Sequence, residues 1–295
     1  MSDKYPTVTD AGIRCFLEEG DRLYPADAVN FSMAEQRKFY DTFCAHFSRP
    51  HPSGVTTHDF SVGHIPCRTY KTKNARVKLL YLHGGGFVVG GLASHDSICA
   101  ELCAGADVEI TAVEYSLAPE HPFPAAFDEC WSVLNHIGPC IVAGDSAGGN
   151  LAAALCLKSR DVNGPKITAQ VLIYPGLDGD TTKGSYLSQA NAPGMSTADS
   201  IYYRKTYAGA PHKYAGALNE TNFANLPPAF IVAAGLDPLH DDATGYASKL
   251  LAAGGKAELR EEPLLVHAYL RARHMSQPAA ESFAAIIGAI RKFAA

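Results

Sequence analysis

Ile141-Val142-Ala143-Gly144-Asp145-Ser146-Ala147-Gly148-Gly149-Asn150 is a short apolar run that breaks into a glycine-rich turn around one serine. Asn150–Leu157 follows it and is apolar all round, as expected of a helix buried in a large core. Strand, tight turn and buried helix together match the G-x-S-x-G pattern, which presents a serine hydroxyl where the backbone changes direction. The glycines let such a turn close against both strand and helix. The N–H groups at the start of the helix then face whatever reacts with the serine. A capping serine in a glycine-rich helix entry is the plain alternative.

The segments upstream read the same way. Val77–Leu82 is a strand candidate that ends at His83-Gly84-Gly85-Gly86-Phe87. Three successive glycines are costly to order, so backbone is expected to come very close to something there. A flexible loop is the alternative. Val108–Tyr115, Ile167–Tyr174 and Ala229–Ala234 are further buried-strand candidates. Ala243, Tyr246, Ala247, Leu250 and Leu251 keep helical spacing up to Gly254-Gly255, and Phe283, Ile286, Ile287 and Ile290 form a C-terminal helical stripe. Strands alternating with helices predict an α/β fold, with a mostly parallel central sheet covered by helices on both faces.

Three regions fall outside that alternation. A helix is expected over Asp10–Glu19, and Ser32-Met33-Ala34-Glu35 forms a capping box ahead of Phe39, Tyr40 and Phe43. His58–Tyr70 reads as an antiparallel pair preceding the parallel strands. Gly179–Asn222 is long for a crossover and reads as an insertion. The expectation is one domain, residues 1–295, with cap elements at approximately 1–50 and 179–222.

Composition narrows the function. The 295 residues are 47% hydrophobic and 19% charged, which is ordinary for a globular protein large enough to hold its core unaided. A net charge of −5, without clustered Lys and Arg, argues against nucleic acid as a partner. No apolar stretch is long enough for a membrane span, and no apolar segment follows Met1–Pro6 as in a signal peptide, so a cytoplasmic location is expected. The eight cysteines include no C-x-x-C pair, so they are expected to be packing residues and no metal site is signalled.

A serine hydroxyl needs a base within hydrogen-bond reach, and the base needs an orienting acid. When the serine sits on this kind of turn, the chain order is Ser, acid, His. That leaves His212, His240, His267 and His274. His267 directly follows the strand-like Pro263-Leu264-Leu265-Val266 and is preferred. His274 is the fallback, in a stretch with Arg271 and Arg273 that reads as charged and solvated. Asp237 lies just past the strand candidate ending at Ala234 and is the preferred acid. Asp178 follows another strand, while Asp241 and Asp242 fall in a first helical turn, where the dipole already favours acids. The backbone amides of Gly85 and Gly86, with Gly84 as a further candidate, would join that of Ala147 as donors to a developing oxyanion. His83 reads as a brace for that loop.

With these residues placed, the chain resembles the hormone-sensitive-lipase-like bacterial esterases of the α/β-hydrolase superfamily. The resemblance rests on His83–Phe87, on Tyr115-Ser116-Leu117-Ala118-Pro119-Glu120, on Gly144–Asn150 and on Gly235-Leu236-Asp237-Pro238-Leu239, and it runs from about residue 75 to the end. It implies Ser146 as nucleophile, His267 as base, Asp237 as acid and a helical cap built from the two additions, with no cofactor. Two positions depart from the family: Ser116 stands where Arg is usual, and His267-Ala268-Tyr269 replaces His-Gly-Phe. The expected activity is hydrolysis of a small-molecule ester through an acyl-enzyme. Amide hydrolysis of the arylformamidase or small-exopeptidase type uses the same triad and is the alternative. A non-catalytic ligand-binding relative is the third reading, and the presence of His267 argues against it. The short cap favours short acyl chains. Phe39, Tyr40, Tyr202 and Tyr203 are candidates for the pocket wall or for the cap's own core. Homodimer formation is left open.

Overall fold

The computed structural model describes residues 4–25, 27–208 and 210–295. Its centre is an eight-stranded sheet in the order β1-β2-β4-β3-β5-β6-β7-β8. The strands are β1 (Thr56–Val62), β2 (Ile65–Lys71), β3 (Lys78–Leu82), β4 (Glu109–Val113), β5 (Cys140–Asp145), β6 (Ile167–Ile173), β7 (Ala229–Leu236) and β8 (Ala257–Val266). β1 pairs antiparallel with β2, and β2 antiparallel with β4; from β4 to β8 every pairing is parallel. The expected antiparallel pair and parallel sheet are therefore both present.

The helices are α1 (Ala11–Leu23), α2 (Met33–Phe47), α3 (Leu92–Ala106), α4 (Ala125–Ile137), α5 (Ala147–Val162), α6 (Ser185–Ser188), α7 (Thr197–Tyr207), α8 (His240–Ala252) and α9 (Gln277–Ala294). The sheet separates two apolar cores. On one face Leu79, Tyr81, Ile141 and Val171 pack with residues of α3 and α9. On the other, Leu80, Val142, Leu172 and Ile231 pack with α4, α5 and α8. Because both faces are covered, β5 is buried along its whole length. α5 buries Leu151, Leu155 and Leu157 completely, each contributing roughly 1.5–3 kcal/mol of apolar burial. All eight cysteines are free thiols and seven are buried, in keeping with a packing role. Among the described residues no helix is long and apolar enough to cross a membrane.

The additions fold locally as their sequences dictate. Asp10 caps α1 by accepting from the Ile13 amide, and Ser32 and Glu35 form the capping box of α2. α1 and α2 join through aromatic side chains: Phe16 lies 4.9 Å from Phe47 and 5.8 Å from Phe43, ring centre to ring centre. The long connection from β6 to β7 carries α6 and α7. It is tied down by Asn150 of α5, whose side chain donates to Ala215 O at 2.6 Å and accepts from the Ala217 amide at 3.1 Å.

Candidate active site

Parallel strands place the residues that follow them on one rim. Ser146 comes directly after β5, Asp237 directly after β7 and His267 directly after β8. Ser146 Oγ lies 2.9 Å from His267 Nε2, and His267 Nδ1 lies 2.7 Å from Asp237 Oδ2. The other Asp237 oxygen accepts from the Leu239 amide at 2.9 Å. Asp237 is fully buried, and His267 retains 8% exposure, enough to reach the cavity. The structure brings these three residues together and leaves the competitors elsewhere. His274 pairs with Glu101 at 3.0 Å, His240 with Asp241 at 2.9 Å, and the His212 ring packs 5.2 Å from Phe123. Asp178 binds Arg204 at 3.2 Å.

The serine turn is strained. Ser146 has φ 53° and ψ −118°, a conformation that costs an L-residue on the order of 1–3 kcal/mol. Surrounding backbone enforces it: the Ser146 amide donates to Ile173 O at 2.9 Å, and Ser146 O accepts from Asn150 and Gly176 amides, both at 3.2 Å. Gly148 is needed for close approach, since a β-carbon there would sit 1.9 Å from Leu82 O.

The glycine loop reaches the same spot from β3. Gly86 has φ 59°, and a β-carbon on it would meet the Tyr203 ring at 2.4 Å, so α7 packs directly on bare backbone. The amides of Gly85, Gly86 and Ala147 have no hydrogen-bond partner among the described residues. Gly84 must be removed from the donor set. Its amide points at Asp145 Oδ1, 3.1 Å away, and is held there as part of the loop's anchorage. Asp145 is the residue the sequence reading passed over. It is buried, accepts from Tyr81 Oη at 2.8 Å as well, and lies 3.3 Å from His95 Nε2. Burial opposes its charge, but His95, Tyr81 and Arg271 outweigh it and hold the carboxyl well below its usual range. Only the spacing G-D-S hinted at it.

His83 braces the loop, as expected. Its ring stacks on Tyr115 at 4.0 Å, and Nδ1 lies 2.9 Å from Gly84 O. Burial pushes its imidazole down to about 3, so it stays neutral at physiological pH. The two departures from the family also find places. Ser116 donates through Oγ and its amide to Glu129, at 2.7 and 2.6 Å. Ala268 adopts φ 60° and ψ 17°, the left-handed conformation in which glycine is at ease.

A cavity of about 500 Å³ opens above Ser146 and His267. Both additions contribute to its wall, through Phe16, Leu17, Tyr24 and Tyr40 on one side and Met195 and Tyr203 on the other. The four candidate aromatics therefore divide. Tyr40 and Tyr203 line the cavity, whereas Phe39 packs 5.3 Å from Phe31 and the Tyr202 hydroxyl meets Gln36 at 3.3 Å.

A second correction concerns Arg271 and Arg273, expected in a solvated stretch. They are only 6% and 4% exposed. The turn Tyr269–Ala272 runs inward against α1 and α2 and carries Arg271 with it, while Arg273, directly after it, is held by Glu101 and Ser97 of α3. Asp242 does fall in the first turn of α8, as expected, and it has a further role there. It is buried, accepts from the Leu177 amide at 2.6 Å and from the Tyr186 hydroxyl at 3.0 Å, and thereby fixes the insertion to α8. Burial raises its carboxyl to about 6.

The α/β-hydrolase fold family matches residues 79–271. The chain belongs to it, within the hormone-sensitive-lipase-like esterases. It is 41% identical over 209 residues to the esterase LipI of Mycobacterium tuberculosis, a match covering 65% of each chain and so just under two thirds of LipI. It is 34% identical over 258 residues to the carboxylesterase NlhH of the same species, covering 77% of this chain and 78% of NlhH. The structure of a bacterial heroin esterase superposes with a TM-score of 0.89 at 27% identity, covering 99% of this chain and 100% of that one. In this α/β-hydrolase the matched region runs from the glycine-loop strand to the turn after His267, and so contains Ser146, Asp237, His267 and the glycine loop, while the wall residues of α1 and α2 lie outside it.

Proposed function

We propose that this α/β-hydrolase is a carboxylesterase in which Ser146 is the nucleophile, His267 the base and Asp237 the orienting acid. The observation that carries the reading is the unbroken hydrogen-bond chain from Ser146 Oγ through His267 to buried Asp237. Beside it lie the amides of Gly85, Gly86 and Ala147, none with a partner among the described residues. His267 Nε2 takes the proton of Ser146 as Oγ attacks the ester carbonyl. The three amides receive the oxyanion, where each is worth about 2.7–4 kcal/mol in the transition state. His267 returns the proton to the leaving alcohol, and water then cleaves the acyl-enzyme by the same route. Asp237 fixes the ring with its Nδ1 proton inward and stabilises the charged form. The named esterase relatives support the class. The aromatic and aliphatic cavity wall supports a small ester substrate.

Turnover of 4-nitrophenyl butyrate tests this reading, with N-formylkynurenine as the amide comparison. Wild-type protein is expected to cleave the ester faster than the amide. Ser146→Ala is expected to lower kcat by about 10⁴–10⁶-fold while keeping the circular dichroism of the wild type. A folded Ser146→Ala protein with wild-type rate contradicts the assignment.

A further inference from the structure

Arg271 and Arg273 sit two residues apart, and their surroundings differ in one respect. Arg273 donates to Glu101 at 2.9 Å through Nε. Arg271 is equally buried, yet among the described residues no carboxylate comes within ion-pair distance of it. Its Nη1 donates to Ser94 O at 2.8 Å; its Nη2 donates to the Tyr40 hydroxyl at 3.0 Å and lies 3.4 Å from His95 Nε2. Its Nε makes no hydrogen bond among the described residues. The rings of Tyr40 and Phe43 flank the guanidinium at 5.4 and 5.9 Å. A buried guanidinium is stabilised chiefly by an anion, and here the protein supplies none in contact.

The nearby acids are already occupied. Asp145 is met by Tyr81, Gly84 and His95, with the His95 ring standing between it and Arg271. Asp237 is met by His267 and the Leu239 amide. Arg271 lines the same cavity as Ser146 and His267, beside Tyr40 and Phe43. A cation kept dry, balanced by Asp145 only across a gap and open to a substrate cavity has the chemistry of a recognition group.

We propose that Arg271 anchors a carboxylate of the substrate, so that the preferred esters carry a second, free carboxylate in their acid or alcohol half. This rests on the esterase reading of the same site. The planar guanidinium offers the anion a charge-assisted hydrogen bond that a neutral alkyl chain cannot accept, while the aromatic walls take up the methylenes between anion and ester.

The test uses the full chain and ester pairs of equal carbon number in a pH-stat at pH 7.5. Monoethyl glutarate against ethyl pentanoate places the charge in the acid. Carboxymethyl butanoate against ethyl butanoate places it in the alcohol. At least one charged ester is expected to show higher kcat/KM than its neutral partner. Arg271→Gln is expected to lower the charged-to-neutral ratio roughly tenfold to a hundredfold, and Arg271→Lys to keep part of it. Calorimetric titration with glutarate reads the anchor without turnover: wild type binds, and Arg271→Gln binds more weakly. Neutral esters favoured in both pairs, with a ratio unchanged in Arg271→Gln, overturn the anchor and leave the esterase reading standing. No ester cleaved at all overturns the esterase reading, and glutarate binding then judges the anchor alone. Should Arg271→Gln not fold, the Lys variant and wild-type glutarate binding decide, with no binding counting against the proposal.

Discussion

The rim of the sheet and the cap above it are built on different terms. At the rim, backbone geometry is dictated and, apart from the free amides of Gly85, Gly86 and Ala147, polar groups are answered at short range. Ser146 is held in a strained turn, Gly84 is held by Asp145, and Asp237 is enclosed by His267 and Leu239. In the cap, α1 and α2 cohere through rings such as Phe16, Phe43 and Phe47, and the insertion is tied to α5 through an ion cluster in which Arg160 and Asp161 of α5 meet Lys213 and Glu220. Ring contacts tolerate exchange of apolar side chains; a strained turn does not. On the proposed reading the rim sets the chemistry, and the cap sets what reaches it.

Substitutions at the junction break this comparison most severely. Asp145→Ala removes the acceptor that holds the Gly84 peptide and leaves Tyr81 Oη and His95 facing a gap. A fall in kcat of about 10²–10³-fold is expected, comparable with loss of one oxyanion donor. Steady-state kinetics on 4-nitrophenyl butyrate would show it. An unchanged kcat would mean that the glycine loop holds its shape without the rim.

The legibility of the sequence follows the same division. Ser146, Asp237 and His267 could be found because parallel strands deliver the residues after them to one edge, so position along the chain implied position in space. The free amides of the glycine loop were legible for the same reason. Gly84 was misassigned because a glycine's presence does not say where its N–H points, and Asp145 takes that N–H. Arg271 and Arg273 were read as solvated because charge normally means surface. Only the inward course of Tyr269–Ala272 reverses that, and nothing local encodes it. Which of Tyr40, Tyr202, Tyr203 and Phe39 face the cavity depended on how two distant segments meet, which helical spacing does not specify.

A subtler probe addresses the seam between insertion and sheet. Asp242 has its carboxyl raised from an ordinary 3.8 to about 6 by burial. The folded state therefore keeps the proton to higher pH than the unfolded state does. Stability from this group is greatest below about pH 4 and is lost as pH rises through about 6. Asp242→Asn removes that dependence. Its stability relative to wild type is expected to improve between pH 4 and pH 7.5, by on the order of 2 kcal/mol, in urea melts at both values. A difference that stays constant with pH would show that Asp242 carries no such coupling.

The smallest effect is expected at Ala268. Its left-handed backbone is eased by glycine, while the freer unfolded chain offsets the gain. Ala268→Gly should change stability by less than about 1 kcal/mol and leave kcat nearly unchanged. A large loss of activity would instead mean that the methyl group positions His267.

The central claim is that Ser146 is the activated nucleophile of the rim. Labelling with a fluorophosphonate, followed by peptide mass spectrometry, addresses it directly. The account predicts one equivalent of adduct on the peptide containing Ser146, with labelling slowed strongly in His267→Ala and absent in Ser146→Ala. An unlabelled Ser146 in folded protein, or an adduct on a different residue, would contradict it.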